Sequence, residues 1–473
     1  MGLTLAVVIS EIYPKQKILL IERLLKCGLE SSNGINNAGT GHAGYCELNY
    51  TPQDKKNRIN IEKALSINEM FESSLQFWAY LADKHKDFDC SKFLNKSAHI
   101  SFVFGKKNIR FLKKRFEKLK DQPLFQGMQY TENHKVIKNW VPLIMQERST
   151  KQKVAATKID HGTDINFGEL CKQLLNVLRK NKQFKVIFDS NISQINRSYG
   201  NSFDLKYKIK KTNKIKIVSS KKVFIGSGGQ AINMLQNIGI NEIKGYAGFP
   251  LSGEWLVCDK QEIIKQHQAK VYSLPLPGAP AMSIPHLDLR ILGEKKILLF
   301  GPFASITTKF LKFGSIWDFF KSIKLNNIYS LLVIFYNNLP LLKYLIYQSL
   351  LTHNKKMEQL KKFYPSANPN DWEKKQAGQR VQIIKKTNNS INLEFGTEII
   401  YSSQKNLIGL IGASPGASTS SYLMFEIALN IYDDPNLLTK IKKMVPLYND
   451  NLNKNPKLLK KMRDIVYKKL KLF

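Results

Sequence analysis

The order of apolar and polar positions divides the chain into helices and strands from its first residues. Residues 3–13 predict a helix, and residues 17–22 a short apolar strand that ends in Glu22 and Arg23. Across residues 57–82, Ile61, Leu65, Ile67, Met70 and Phe71 recur at roughly helical spacing. Phe102–Lys118 and Glu169–Lys180 read as helices too. Val186–Phe188, Ile192–Asn196, Phe203–Ile209 and Ile215–Val218, separated by basic turns, predict a strand meander. Val223–Gly229 is an apolar strand that runs into small residues. Residues 271–303 predict antiparallel strands joined by the Pro/Gly-rich loop Pro275–Pro285. Residues 379–400 add two strands, and the chain from Asp434 onward is helical and basic.

Two loops carry candidate chemistry. After the strand Ile18–Ile21 comes SSNGINNAGTGHAGYCELNYTPQ, Ser31 to Gln53. A strand, a terminal acid and a loop of small residues is how a dinucleotide-binding fold holds a ribose and brings backbone N–H groups close to phosphate or flavin. GLIGASPGAST, Gly409–Thr419, repeats the theme at the other end of the chain and is expected to open a helix. Its dipole would favour negative charge on a reduced cofactor. Glu22 and Arg23, then Asn36, Asn37, Ala38, Gly39, Thr40 and Gly41, are the first set of candidate contacts. Gly226 and Gly228, then Gly412, Ser414, Pro415, Gly416 and Ala417, are the second. For the two asparagines the competing reading is turn formation. From the local pattern alone, Val223–Gly229 reads as a buried strand followed by a tight turn.

Composition narrows the function classes. A chain of 473 residues buries a large core and is expected to form two domains. The net charge of +36 points to an anionic partner, but the lysines are scattered and no nucleic-acid module accompanies them. No nucleic-acid partner is expected; some attraction to an anionic membrane surface is. Five widely spaced cysteines argue against a disulfide framework and a structural zinc site, so no metal is expected and a reducing cytoplasm fits. No secretory signal is visible. Ile328–Leu351 is the most apolar region, broken by Asn337, Asn338, Pro340 and Lys343. Neither half reaches the roughly 20 residues of a membrane span. Two short helices hinged at Pro340 are expected, either docking on a membrane or buried in the core.

Both loops resemble those of the malate:quinone oxidoreductases. Other segments are similar to that family in the same order: Phe102–Phe116, Leu124–Arg148, Lys153–Leu170, Lys244–Cys258, Val271–Arg290 and Ala377–Lys386. The resemblance implies an FAD enzyme that oxidises L-malate and passes electrons to membrane quinone, peripheral on the inner face of a bacterial membrane. It implies an α/β flavoprotein with a Rossmann-like FAD-binding domain and an α+β substrate domain built on an antiparallel sheet. The expected division is 1–52, 149–245 and 401–473 for the FAD side, with 53–148 and 246–400 for the substrate side. One departure stands out. The family opens on a strand and a GxGxxG-like turn, and here Met1 falls inside that turn, with Gly2 as its last small position.

Alcohol oxidation needs a base for the hydroxyl proton and cations for the carboxylates. His286, in SIPHLDLR, is the first candidate base, since neutral imidazole titrates near pH 6.5. If it starts a strand, Asp288 and Arg290 share its face. Asp288 would orient the imidazole or the arginine, and Arg290 would clamp a carboxylate. The same His–Leu–x–x–Arg pattern, followed by Gly301–Pro302, is similar to that of FAD-dependent 2-hydroxyglutarate dehydrogenases. The plain alternative is a structural histidine beside a salt bridge. His42, in the first loop, is the rival base, and His161 is a weaker candidate. Competing whole-chain readings are a flavin 2-hydroxy acid dehydrogenase with another substrate, and an inactive remnant lacking the first strand.

Overall fold

The computed structural model describes residues 1–274, 284–387, 390–394, 396–412 and 416–472. Ser414 and Pro415, and most of the Pro275–Pro285 loop, lie outside the described residues.

The fold is mixed α/β, with one large sheet of nine strands. In spatial order these are Ile391–Glu394, Glu373–Lys386, Ala247–Cys258, Lys295–Ile306, His286–Leu292, Ala269–Tyr272, Ala98–Phe104, Val154–Ile159 and Gln129–Thr131. Neighbours are antiparallel, apart from the parallel pair Ala269–Tyr272 and Ala98–Phe104. Strand alternation sorts the faces. Leu287 and Leu289 enter an apolar core with Ile100, Phe102, Leu256 and Phe300, while His286, Asp288 and Arg290 project from the opposite face.

Smaller sheets stand beside it. Ile18–Ile21 pairs in parallel with Phe184–Ile187. Val223–Ile225 pairs in parallel with Leu407–Gly412, which also pairs with Thr397–Tyr401. Ser190–Arg197, Phe203–Ile209 and Ile215–Ser220 form the meander. Helices Gly2–Ile12, Glu62–Lys84, Phe167–Arg179, Ser420–Ile431 and Pro456–Leu470 contribute to the largest apolar core.

Several sequence expectations need correction. The segment read as a helix from Phe102 is a strand to Phe104, a left-handed Gly105 at φ 86°, then a helix Lys106–Leu119. Ile100, Phe102 and Val103 are all fully buried, so both faces of this strand are apolar or neutral and the alternation that marks a strand is masked. The long helix starts at Glu62, not at residue 57. Phe184–Ile187 leaves the meander to pair with Ile18–Ile21. Val154–Ile159 runs in the nine-stranded sheet, and Thr397–Tyr401 pairs with the strand that ends at Gly412. The α-helix that follows the second small-residue segment opens at Ser420, after a single 3-10 turn at Gly416–Thr419.

Among the described residues no single helix is long and apolar enough to cross a membrane. Ile328–Asn337 and Leu339–Ser349 reach that length and composition only together, and they are bent by 79°.

Candidate active site

A cavity of about 2850 Å³ runs between the large sheet and the smaller ones. That is well beyond the roughly 300–1,000 Å³ of an ordinary small-molecule pocket. Ile18–Ile21 and Val223–Ile225 each pair on one side only, and both border it. So do the first residues of helix Gly2–Ile12, whose N-terminal N–H groups favour an anion.

Most of the predicted contacts converge on this space. Glu22, Arg23, Asn36, Asn37, Ala38, Gly39, Thr40, Gly226, Gly228, Gly412, Gly416 and Ala417 all line it. Glu22 accepts a backbone hydrogen bond from Leu24 N at 2.9 Å, and burial raises its pKa above the usual carboxylate value. A half-desolvated acid with spare acceptor capacity suits a ribose diol. Arg23 is held by Glu30 and by the Phe313 carbonyl, each at 2.7 Å.

The asparagines serve the loop instead of a ligand. Asn36 Nδ2 donates to Leu29 and Glu30 carbonyls, and its Oδ1 accepts from Lys312. Asn37 Nδ2 donates to Ser31 and Asn33 carbonyls, and its Oδ1 accepts from Gly39 N. Their amide donors are engaged within the loop, as the turn-forming reading expects. Gly41 does not line the cavity; its backbone N–H bonds the Thr163 carbonyl at 3.1 Å, and a Cβ there would meet Thr163 Oγ1 at 2.0 Å.

Arg290 is likewise placed differently from its expected role. It is fully buried beneath the first loop. Nη1 donates to Asp164 Oδ1 and to the Ile165 carbonyl, and Nη2 donates to the Gly34 carbonyl at 3.1 Å. Lys270 Nζ sits 2.8 Å from the same Asp164 oxygen and donates to the Ala38 carbonyl. Arg290 is therefore an anchor for residues 34–39 and does not line the cavity. The face at period two is as expected; the partner is a carboxylate 126 residues away in sequence.

Gly39 shows how tightly the anchor is fitted. Its φ is 62°, and an added Cβ would lie 1.1 Å from Arg290 Nη1. Gly39→Ala is expected to lower stability by roughly 1–3 kcal/mol through overpacking, measured by urea unfolding. Gly127→Ala is the control: φ is 86°, and nothing lies within 4 Å of the new Cβ, so it carries backbone strain alone.

Two imidazoles face the cavity, each backed by a carboxylate. His286 stacks on Tyr272, centroids 4.3 Å apart and nearly parallel, with Trp255 at its edge. Its Nδ1 lies 2.8 Å from Asp288 Oδ2, off the line of a hydrogen bond. Burial would push the Asp288 pKa up, but His286, Lys270 and Arg290 outweigh it and hold the carboxyl below its usual value. His42 Nδ1 makes an aligned 2.6 Å hydrogen bond with Glu47. Glu47 is fully buried; burial raises its pKa, and His42 with His99 more than reverse this. His42 is the more open of the two imidazoles, 21% exposed against 7%. His161 is excluded as a base: it hydrogen-bonds Tyr45, lies outside the cavity, and burial pulls its pKa down to about 3.

The sequence reading missed Arg380. It lies in strand Glu373–Lys386 opposite Leu251 and lines the cavity near Tyr50 and Tyr272. Burial lowers its pKa, partly countered by those two phenols. Its guanidinium has no hydrogen bond or ion pair among the described residues. Beside it, Gln379 Nε2 and Oε1 and Gln382 Oε1 are buried and unpartnered. A cavity-lining arginine without an internal partner has its donors free for an anionic ligand. The only sequence signal was the lone arginine of AGQRVQII, within a segment already noted.

The family model for malate:quinone oxidoreductase (Mqo) matches residues 1–472. The chain is 46% identical over 470 residues to a probable malate:quinone oxidoreductase of Prochlorococcus marinus strain AS9601, covering 99% of this chain and 90% of that protein. It is 45% identical over 468 residues to one from Geobacillus sp. strain WCH70, covering 98% and 92%. In fold it is similar to L-α-glycerophosphate oxidase of Mycoplasma pneumoniae, solved with FAD bound, at TM-score 0.56 and 16% identity over 92% of this chain and 94% of that one. The chain belongs to the malate:quinone oxidoreductase family.

Proposed function

We propose that the protein is an FAD-dependent enzyme that oxidises (S)-malate to oxaloacetate and delivers the electrons to membrane quinone. It works peripherally, from the cytoplasmic face of a bacterial membrane. The observation that carries the reading is the unpaired Arg380 guanidinium, set near two carboxylate-backed imidazoles in one cavity.

The residues present fit FAD. Glu22 has acceptor capacity for a ribose, and the start of helix Gly2–Ile12 favours a diphosphate. Gly226, Gly228, Gly412 and Gly416 leave walls without side-chain bulk, as a Rossmann-like domain requires. Asn37–Thr40 of the first small-residue loop and Gly412 and Gly416 of the second segment line the same cavity, so a cofactor there would be gripped from both sides. Bound FAD supplies an acceptor for the hydride of the malate C2–H bond.

The chain's own residues do the rest. Arg380 holds one malate carboxylate through a two-pronged contact that a lysine cannot reproduce. Gln382, on the Arg380 face of the strand at period two, donates or accepts at the same end. His286 takes the hydroxyl proton at its free nitrogen, Nε2. The ionised Asp288 at Nδ1 then stabilises the imidazolium, in a space that Tyr272 and Trp255 keep dry. Arg290, Lys270 and Asp164 fix the loop above the site and act by position. A second reading gives the proton to His42, and its aligned bond to Glu47 supports this, because it fixes the tautomer that leaves Nε2 free.

Malate oxidation with a soluble quinone analogue and no added nicotinamide tests the proposal. Turnover is expected with the quinone alone. Turnover that depends on NAD would contradict it.

A further inference from the structure

The apolar helices Ile328–Asn337 and Leu339–Ser349 have two unlike sides. On the inner side Leu331, Ile334 and Leu345 are buried against Phe249, Leu251, Ala304 and Ile384 of the large sheet. That contact fixes both helices to the protein. Each is only about 15–16 Å long at helical rise, about half a bilayer core, and the 79° bend separates them further. They cannot cross a membrane while they stay packed on the sheet.

The outer side is the anomaly. A helix on a water-facing surface carries polar residues outside. Here Leu325 is 98% exposed, Tyr336 77% and Leu350 75%, with Ile328, Tyr329 and Leu332 also exposed between them. Ile316, Trp317 and Phe320 continue the same apolar stretch just before these helices. An exposed apolar surface of this breadth has a non-aqueous neighbour. Tyrosine and tryptophan at its edges are the side chains that settle at a lipid–water boundary.

Charge names the neighbour. Between Asp318 and Glu358 the chain has no acidic residue. Asp318 itself is buried, where it accepts from Phe310 and Ser315 backbone N–H groups. Lys321, Lys324 and Lys343 lie within this stretch, and the whole chain is cationic at +36. An apolar surface with cations and no anions is complementary to a bilayer with anionic headgroups.

A third observation ties this face to the site. Phe313, Phe320, Lys321, Ile323 and Lys324 line the large cavity. Phe313 and Phe320 are exposed at the same time. The cavity wall and the apolar surface therefore share residues.

We propose that residues 313–350 form the membrane-docking surface, with the two bent helices lying flat in the headgroup region. The cavity opens where they meet the lipid. A hydrophobic quinone then enters along Phe320 without passing through water. This rests on the malate:quinone reading, which supplies the lipid-soluble acceptor.

The test uses the full chain and two kinds of vesicle: phosphatidylethanolamine with phosphatidylglycerol, and phosphatidylcholine alone. The protein should co-sediment with the anionic vesicles, and less so at high salt. The double variant Leu325→Glu, Leu332→Glu removes apolar contact and adds like charge, at positions that do not line the cavity. Its vesicle binding should fall about tenfold or more. Its malate turnover with a soluble quinone analogue should stay at the wild-type rate, which also confirms its fold. Turnover with a long-chain quinone embedded in the vesicles should drop with binding. Wild-type binding by the variant would overturn the proposal, as would a wild-type protein that ignores anionic vesicles. A wild-type dimer that the variant splits, without vesicle binding, would assign the face to a second copy instead. If wild-type protein binds vesicles but does not oxidise malate, the functional reading fails while the docking surface stands.

Discussion

His286→Ala is expected to slow reduction of bound flavin by malate about 10²–10⁴-fold, the usual effect of losing a general base. The loss should fall on the chemical step, because the His286 side chain makes no hydrogen bond that holds a loop among the described residues; its neighbours are the Tyr272 and Trp255 rings and the Asp288 carboxylate. Cofactor content should stay near wild type. Asp288→Asn should reproduce part of the loss, because the neutral amide cannot balance the imidazolium. The measurement is anaerobic stopped-flow absorbance of the flavin, run beside His42→Ala. If His286→Ala reduces flavin at the wild-type rate and His42→Ala does not, the base is His42.

Arg380 and Arg290 are expected to fail in opposite ways. Arg380→Ala should lower kcat/KM about 10²–10³-fold and leave the melting temperature nearly unchanged. A cation that meets its carboxylate only in the complex is worth roughly 2–5 kcal/mol, and it carries no internal bond to lose. Arg380→Lys should keep the charge and recover only part of the rate. Arg290→Ala should act on stability. It strips Asp164 of one of two buried cations and frees the carbonyls of Gly34 and Ile165. Breaking a buried pair in this way costs about 3–5 kcal/mol. Kinetics and thermal unfolding on the two variants separate the roles. A stable Arg290→Ala with raised KM would return the carboxylate clamp to Arg290.

These contrasts also mark how far the chain could be read before its structure. Period-two spacing placed His286, Asp288 and Arg290 on one face correctly, because it is local geometry. It could not tell which of them faces the cavity. That depends on Asp164 and Gly34, which are remote in sequence and reach Arg290 only through the fold. Arg380 was invisible for the same reason: its meaning is the lack of a partner, which no sequence displays. The last residues of strand Ala98–Phe104, from Phe102, were read as helix because burial on both faces removes the alternation. The small-residue loops were legible, since walls without side chains require glycine and alanine. The asparagines among them were assigned to a ligand although they fold the loop.

On the function proposed above, this cavity brings malate and FAD together. Flavin-loaded protein, mixed anaerobically with (S)-malate and no other reductant, measures that most directly. The account predicts loss of the yellow absorbance in a single turnover, formation of one oxaloacetate per flavin, and return of the colour when a quinone analogue is added. A folded protein that holds FAD and stays yellow with saturating malate would contradict it.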